Sequence, residues 1–165
     1  MWIVKIGGSW INNPNLSNLI KNLQRLSNKD NIIIVNGGGA FSDSVRLVYE
    51  SKKMSEKTGN YIALKATELF SHLLKEIDKN ICLVDDIESL RFSNKMLKIW
   101  LPSMILKNDS TFIKNWESTS DSVAAWLYSK MNSLGLLYVK SLTFEKKKYK
   151  LKYLQDNGVL DKNVD

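Results

Sequence analysis

The sequence predicts an α/β fold, a three-layer αβα sandwich with a mainly parallel central sheet. Three observations carry that prediction: short runs that are apolar throughout, amphipathic stretches between them, and two glycine-rich turns that each close an apolar run. Strands buried on both faces lose the polar alternation of half-exposed strands. Such strands belong to parallel sheets covered by helices on both sides.

The elements follow in order. Trp2 to Ile6 reads as the first buried strand. Asn13 then caps a helix with Pro14 at its first position, and Leu16, Leu19, Ile20, Leu23 and Leu26 keep the helical spacing. Ile32 to Val35 is the second strand. After Gly37-Gly38-Gly39, Ser42 or Asp43 opens a helix carrying Val45, Val48 and Tyr49. Beyond the polar stretch Ser55 to Asn60 a longer helix turns Ile62, Leu64, Leu69, Leu73 and Ile77 toward the core. Ile81 to Val84 is a third strand, and Leu97 to Leu101 a fourth that Pro102 stops. Ser118 or Thr119 caps a helix through Val123, Ala124, Leu127 and Met131, and Leu136 to Val139 makes a fifth strand. In parallel sheets ligands bind beyond the carboxyl ends of the strands, where both glycine turns fall.

Composition bounds the function. With 165 residues, 44% hydrophobic and 25% charged, the chain has the size of one domain with a real core. No stretch approaches the roughly 18 apolar residues of a membrane span, and no basic segment followed by a long apolar run opens the chain, so a cytoplasmic protein is expected. A single cysteine, Cys82, excludes an internal disulfide framework and reads as a core thiol. A single histidine, His72, reads as a helix-face imidazole and excludes a His-rich metal cluster, so no metal-ligating residues are assigned.

The net charge of +7 raises the question of nucleic acid. Much of the excess lies in Lys140, Lys146, Lys147, Lys148, Lys150 and Lys152, interleaved with Tyr149 and Tyr153. Such a run can track a backbone and stack on bases, or it can be the solvated face of a helix with Leu151 and Leu154 turned inward. No nucleic-acid-binding motif accompanies it, which makes nucleic acid the weaker reading. A basic surface equally suits an enzyme of polyphosphate ligands.

The chemistry concentrates in Val4-Lys5-Ile6-Gly7-Gly8-Ser9 and in Ile33-Ile34-Val35-Asn36-Gly37-Gly38-Gly39. Backbone without Cβ atoms approaches a ligand closely and aims successive N–H groups at an anion, although a tight strand-to-helix turn needs glycine too. Gly37-Gly38-Gly39-Ala40-Phe41-Ser42 lacks the lysine of a Walker loop, and Ser42 stands where a dinucleotide fingerprint needs glycine. Lys5, inside the first strand, is either a snorkelling strand-end lysine or a fixed cation at a phosphate site.

The order of Lys5-Ile6-Gly7-Gly8-Ser9, Val35-Asn36-Gly37-Gly38-Gly39, Thr119-Ser120-Asp121-Ser122-Val123-Ala124-Ala125 and Tyr138-Val139-Lys140-Ser141 resembles the amino acid kinase family, from residue 2 to about residue 161. The Trp116 to Ser122 segment, the Val139-Lys140-Ser141 strand end and the Asn157-Gly158-Val159-Leu160-Asp161 turn are most similar to its small branch that phosphorylates aminomethyl-furanmethanol phosphate in methanofuran assembly. The resemblance implies an amino acid kinase-like domain over residues 1–165 that lacks the family's usual C-terminal strands. It implies an ATP- and Mg²⁺-dependent kinase that passes the γ-phosphoryl group to a phosphate or carboxylate acceptor.

It also implies roles. Lys5, Asp121 and Lys140 are the catalytic candidates, with Asp121 organising the lysines; its place in a first helical turn also suits the helix dipole alone. Lys140 stands where many relatives carry Thr-Asp. Gly7, Gly8 and Ser9 would bind the moving phosphoryl group, and Gly37, Gly38 and Gly39 the acceptor. Arg46 would hold an anionic substituent of the acceptor, or is a solvated helix arginine. Asn60 stands where furan-type relatives tend to have histidine. A strand without its neighbour exposes apolar surface that a second copy would cover, so a homodimer or higher homo-oligomer is expected. The competing expectation is a catalytically silent nucleotide- or metabolite-binding protein of this fold.

Overall fold

Five parallel strands form one sheet in the order β3-β4-β2-β1-β5 in the computed structural model, which describes residues 1–92, 95–142, 145 and 148–164. The strands are β1 (Trp2–Ile6), β2 (Ile32–Asn36), β3 (Cys82–Val84), β4 (Leu97–Trp100) and β5 (Gly135–Val139). Between them run α1 (Leu16–Ser27), α2 (Ala40–Lys52), α3 (Glu56–Ile77), α4 (Ile87–Arg91), α5 (Ser103–Asn108) and α6 (Ser120–Lys130), with α7 (Leu151–Asp156) after β5. The three-layer α/β expectation holds.

Period-two alternation explains the layers. Val4, Ile6, Ile32 and Ile34 point to one face and pack with Ile20, Leu23, Phe70 and Leu74 of α1 and α3. Ile3, Ile33 and Val35 point to the other and pack with Val123, Ala124 and Leu127 of α6. Lys5 shares the parity of Ile3, so the same alternation sends its side chain toward α6. The sheet also changes direction at β1: the chain builds outward through β2, then returns to place β5 on the opposite side. The carboxyl ends of β1, β2 and β5 therefore surround one crevice.

Several local expectations are corrected. Pro14 is not the first helical residue: Asn13 Oδ1 accepts from Asn15 N at 2.9 Å in a turn, and α1 starts at Leu16. A 3-10 helix, Gly8–Asn12, occupies the first glycine turn. α2 opens at Ala40 rather than Ser42 or Asp43. α3 absorbs the polar stretch after Ser55, whose hydroxyl caps it by accepting from Thr58 N at 3.3 Å. Along α3 the buried stripe is Asn60, Leu64, Thr67, Ser71 and Leu74 with Phe70, while Leu69, Leu73 and Ile77 are exposed. Leu26 is exposed as well, and α4 and α5 had no counterpart in the sequence reading. Leu151 of α7 faces solvent, not the interior. Cys82 is half-buried, and Lys146 and Lys147 lie outside the described residues.

One packing detail shapes the crevice wall. Gly59 of α3 faces the rings of Tyr49 and Trp116, which meet edge to face with centroids 4.6 Å apart. A Cβ there would stand 2.6 Å from Tyr49 Cδ2 and 3.0 Å from Trp116 Cζ2. Helix propensity favours alanine over glycine by about 1 kcal/mol, whereas overpacking against two wedged rings costs about 1–3 kcal/mol. Gly59→Ala is expected to lower stability by about 1 kcal/mol, read as a lower urea midpoint with an unchanged m-value. A higher midpoint would mean that the rings move aside freely.

Candidate active site

β1, β2 and β5 end at one cavity of about 450 Å³, and nine of the ten sequence-predicted site residues line it. Its floor is an ion triad. Asp121, the second residue of α6, is buried, and its Oδ1 lies 2.8 Å from Lys5 Nζ while its Oδ2 accepts from Lys140 Nζ at 2.6 Å. The Lys5 contact is an ion pair off hydrogen-bond geometry, which leaves Oδ1 without a hydrogen bond among the described residues. Tyr138 closes the group by donating its hydroxyl to the Asp121 carbonyl at 3.3 Å.

Burial sets the electrostatics. Taking the Lys5 ammonium out of water pulls its pKa below the usual lysine value of 10.5, and the nearby Lys140 cation adds to this. The charges of Asp121 and Asp161 oppose it. Burial and the same two carboxylates push the Tyr138 phenol up, so it stays a neutral donor.

The glycine turns form the next wall, and they interlock. A Cβ on Gly8 would stand 2.3 Å from Gly39 N, and Gly39 itself has a positive φ of 52°. Side chains at either position would force the ends of β1 and β2 apart. The amides are not equivalent. Gly7 N–H donates to Val139 O at 3.0 Å and Gly37 N–H to Ile6 O at 2.8 Å, so both are spent on joining strand ends. Gly7 is also the predicted residue that does not line the cavity. The amides of Gly38 and Gly39 have no backbone acceptor among the described residues. Gly8, the first residue of its 3-10 helix, likewise lacks an acceptor within that helix. Ser9 Oγ hydrogen-bonds Ser141 Oγ at 2.8 Å across the mouth.

The far side is built differently. Arg46 stands at the rim, more than half exposed, with its guanidinium carbon 5.9 Å from the centre of the Trp116 ring and its Nη1 3.9 Å from Asp43 Oδ1. Asn60, buried on α3, donates to the carbonyls of Asn115 and Ser118, both at 3.1 Å, and so fixes the loop that carries Trp116.

The sequence reading gave no role to Trp116, Ser118, Thr67 or Asp161 in this wall. Asn60, Leu64 and Thr67 follow at helical spacing, a signal readable once the helix is known to start at Glu56. Asp161 arrives from an irregular turn and had no such signal. Tyr149 and Tyr153 of the basic run stack on each other with centroids 5.4 Å apart.

Among the described residues there is no group of three or more His, Cys, Asp or Glu placed to hold a metal, and no helix is long and apolar enough to cross a membrane. Both carboxylates of the cavity floor are already engaged, Asp121 by lysines and Asp161 by amides and hydroxyls. The floor of the cavity therefore offers no unpaired carboxylate to a resident Mg²⁺.

The amino acid kinase family model matches residues 1–141. The chain belongs to the amino acid kinase family. Over 130 residues it is 32% identical to the (5-(aminomethyl)furan-3-yl)methyl phosphate kinase of Methanocaldococcus jannaschii, an alignment covering 77% of this chain and 59% of that protein. The chain thus spans about 59% of the length of that relative. The fold is shared with the uridylate kinase of Archaeoglobus fulgidus, at a TM-score of 0.67 and 18% identity over 91% of this chain and 70% of that one. It is shared equally with the UMP kinase of Ureaplasma parvum, at 0.66 and 14% over 99% and 82%.

The triad is the point at which this member's geometry is most exposed to mutation. Asp121→Asn leaves two ammonium groups facing each other without their counter-charge, and removing one partner of a buried ion pair costs about 3–5 kcal/mol. Chemical denaturation at pH 7 is expected to show a loss near the lower figure, since Lys140 reaches the surface. A loss below about 1 kcal/mol would mean that the lysines find other partners at no cost.

Proposed function

We propose that this chain is an ATP-dependent small-molecule kinase that transfers the γ-phosphoryl group of Mg-ATP to a phosphate monoester. One observation carries the reading: two lysines are held on one buried carboxylate at the floor of a cavity walled by unspent glycine amides. Phosphoryl transfer asks a protein for positioning and charge more than for covalent chemistry. Lys5 and Lys140 supply fixed cations for the phosphoryl oxygens, and the amides of Gly8, Gly38 and Gly39 supply donors. An acceptor oxygen attacks the γ-phosphorus, the bond from that phosphorus to the β–γ bridging oxygen breaks, and ADP leaves with the bond's electron pair. Mg²⁺ enters on the nucleotide as part of the substrate.

The acceptor we favour is an aminomethyl-furanmethanol phosphate, the class named for the Methanocaldococcus relative. Arg46 at the rim is suited to the acceptor's phosphate, and the flat Trp116 ring beside it to a small planar ring. A carboxylate acceptor would use the same cations and form an acyl phosphate. A homodimer is also proposed, because β5 is an edge strand with its own Leu137 and the preceding Leu134 exposed. Light scattering at micromolar concentration is expected to give twice the chain mass; a monomer removes the dimer alone.

Calorimetry of the folded chain with Mg-ATP tests the kinase reading, with a short duplex at moderate salt as the competing ligand. Saturable nucleotide binding and turnover are expected. Lys5→Ala should cut turnover by about a thousandfold while the fold persists. The lowered pKa of Lys5 adds a pH signature. Its cation is present below that pKa and lost as pH rises through it, so the alkaline fall of kcat/KM should come at a lower pH than 10.5. A folded chain that ignores ATP and holds the duplex in salt would make this a nucleic-acid binder instead.

A further inference from the structure

Asp161 makes more contacts to the active-site helix than any role assigned to it so far explains. Its carboxylate accepts from Thr119 N at 2.8 Å and from Ser122 N at 3.0 Å. It also accepts the Thr119 hydroxyl at 2.7 Å and the Ser122 hydroxyl at 3.0 Å. We propose that Asp161 is a positioning residue, a helix cap supplied from a distant part of the chain that holds Asp121 between Lys5 and Lys140.

The argument starts from the helix end. The first amides of α6 have no acceptor within the helix, and the residue before the helix normally offers its own side chain. Thr119 stands at that position but makes no such bond; its hydroxyl turns to Asp161 instead. Asp121 sits between the two residues that Asp161 grips. A shift of this first turn would carry the Asp121 carboxylate away from both lysines.

The segment that brings Asp161 is itself anchored. Leu160 and Val164 are buried. Between them, the Asn163 side-chain amide donates to Ser118 Oγ at 2.9 Å and Asn115 Oδ1 at 3.2 Å, and Lys162 pairs with Glu117 at 2.7 Å. Three successive side chains thus clasp the loop that leads into α6. The charge matters as well as the bonds, because Asp161 together with Asp121 favours the protonated state of Lys5 against burial and Lys140. Asp161 lies outside residues 1–141, the stretch that carries the family match.

The kinetic part of the test rests on the kinase reading; the structural part does not. In Asp161→Ala, amide exchange at Thr119 and Ser122 should accelerate by about tenfold or more, and the Lys5 titration followed by NMR should move to lower pH. Turnover should fall by about tenfold to a hundredfold with KM for ATP within about threefold, because the loss is in alignment and not in binding. Asp161→Asn keeps one acceptor oxygen and should recover part of kcat; it also carries the test if the alanine variant fails to fold.

Unchanged exchange and an unchanged Lys5 titration in a folded variant would overturn the proposal. So would a loss of activity that merely tracks the loss of folded protein. If the wild-type chain has no turnover, the kinase reading falls alone, and exchange with the Lys5 titration still decides the role of Asp161.

Discussion

The rest of the structure depends on a single carboxylate shared by two ammonium groups. Asp121 can meet Lys5 only if α6 lies across the face of the sheet to which odd-numbered β1 residues point, and Lys140 only if β5 pairs beside β1. The parallel register provides both, aligning Lys5 with Tyr138 and Ile6 with Val139, so that Lys140 emerges one residue beyond the strand end. Such a triad is a poor device for stability, because desolvating the ions costs about what their attraction returns. The lowered pKa of Lys5 is the sign of that cost. A chain that keeps a lysine there holds a cation already aligned and partly stripped of water, which is what a transferring phosphoryl group needs.

The second constraint is steric and sits on the other side of the cation. β1 and β2 pair in register through Ile6 and Asn36, so their two exits leave the sheet side by side and must cross at backbone distance. Glycine is required there by packing alone. Gly8, Gly38 and Gly39, whose amides the crossing does not use, also line the cavity, so the residues that the fold requires there are the ones the proposed kinase reading needs. Weighing a glycine turn as either structural or functional therefore poses a false choice at this position.

What the sequence made legible follows from which signals are local. The five strands were readable because each is apolar at nearly every position, and the turns because glycine and proline mark them. The order of Lys5, the two turns, Asp121 and Lys140 then placed the floor of the site. The inner face of α3 was not readable in the same way. Its apolar pattern offers two stripes, and the one with Leu69, Leu73 and Ile77 is the more hydrophobic, yet the chain buries the one with Asn60, Thr67 and Ser71. Two of these polar groups have partners that only the fold supplies, the 115–118 loop for Asn60 and Asn36 for Ser71, while Thr67 donates to the Leu64 carbonyl of its own helix. Hydropathy counts such residues against burial; satisfied hydrogen bonds remove the penalty.

Asp161 shows the same limit at longer range. It sits 42 residues from Thr119, in a turn with no periodicity. Its role is defined wholly by what it touches. Charge balance at the cavity follows from that contact. Asp161 and Asp121 both border the space, but each has its oxygens turned to donors of the protein, Asp161 to amides and hydroxyls and Asp121 to lysines. Asp43, an exposed carboxylate at the rim of the cavity, stands beside Arg46, whose Nη1 is 3.9 Å away, while Lys5 and Lys140 hold the floor. The negative groups of the floor act through their neighbours, fixing where the positive ones stand.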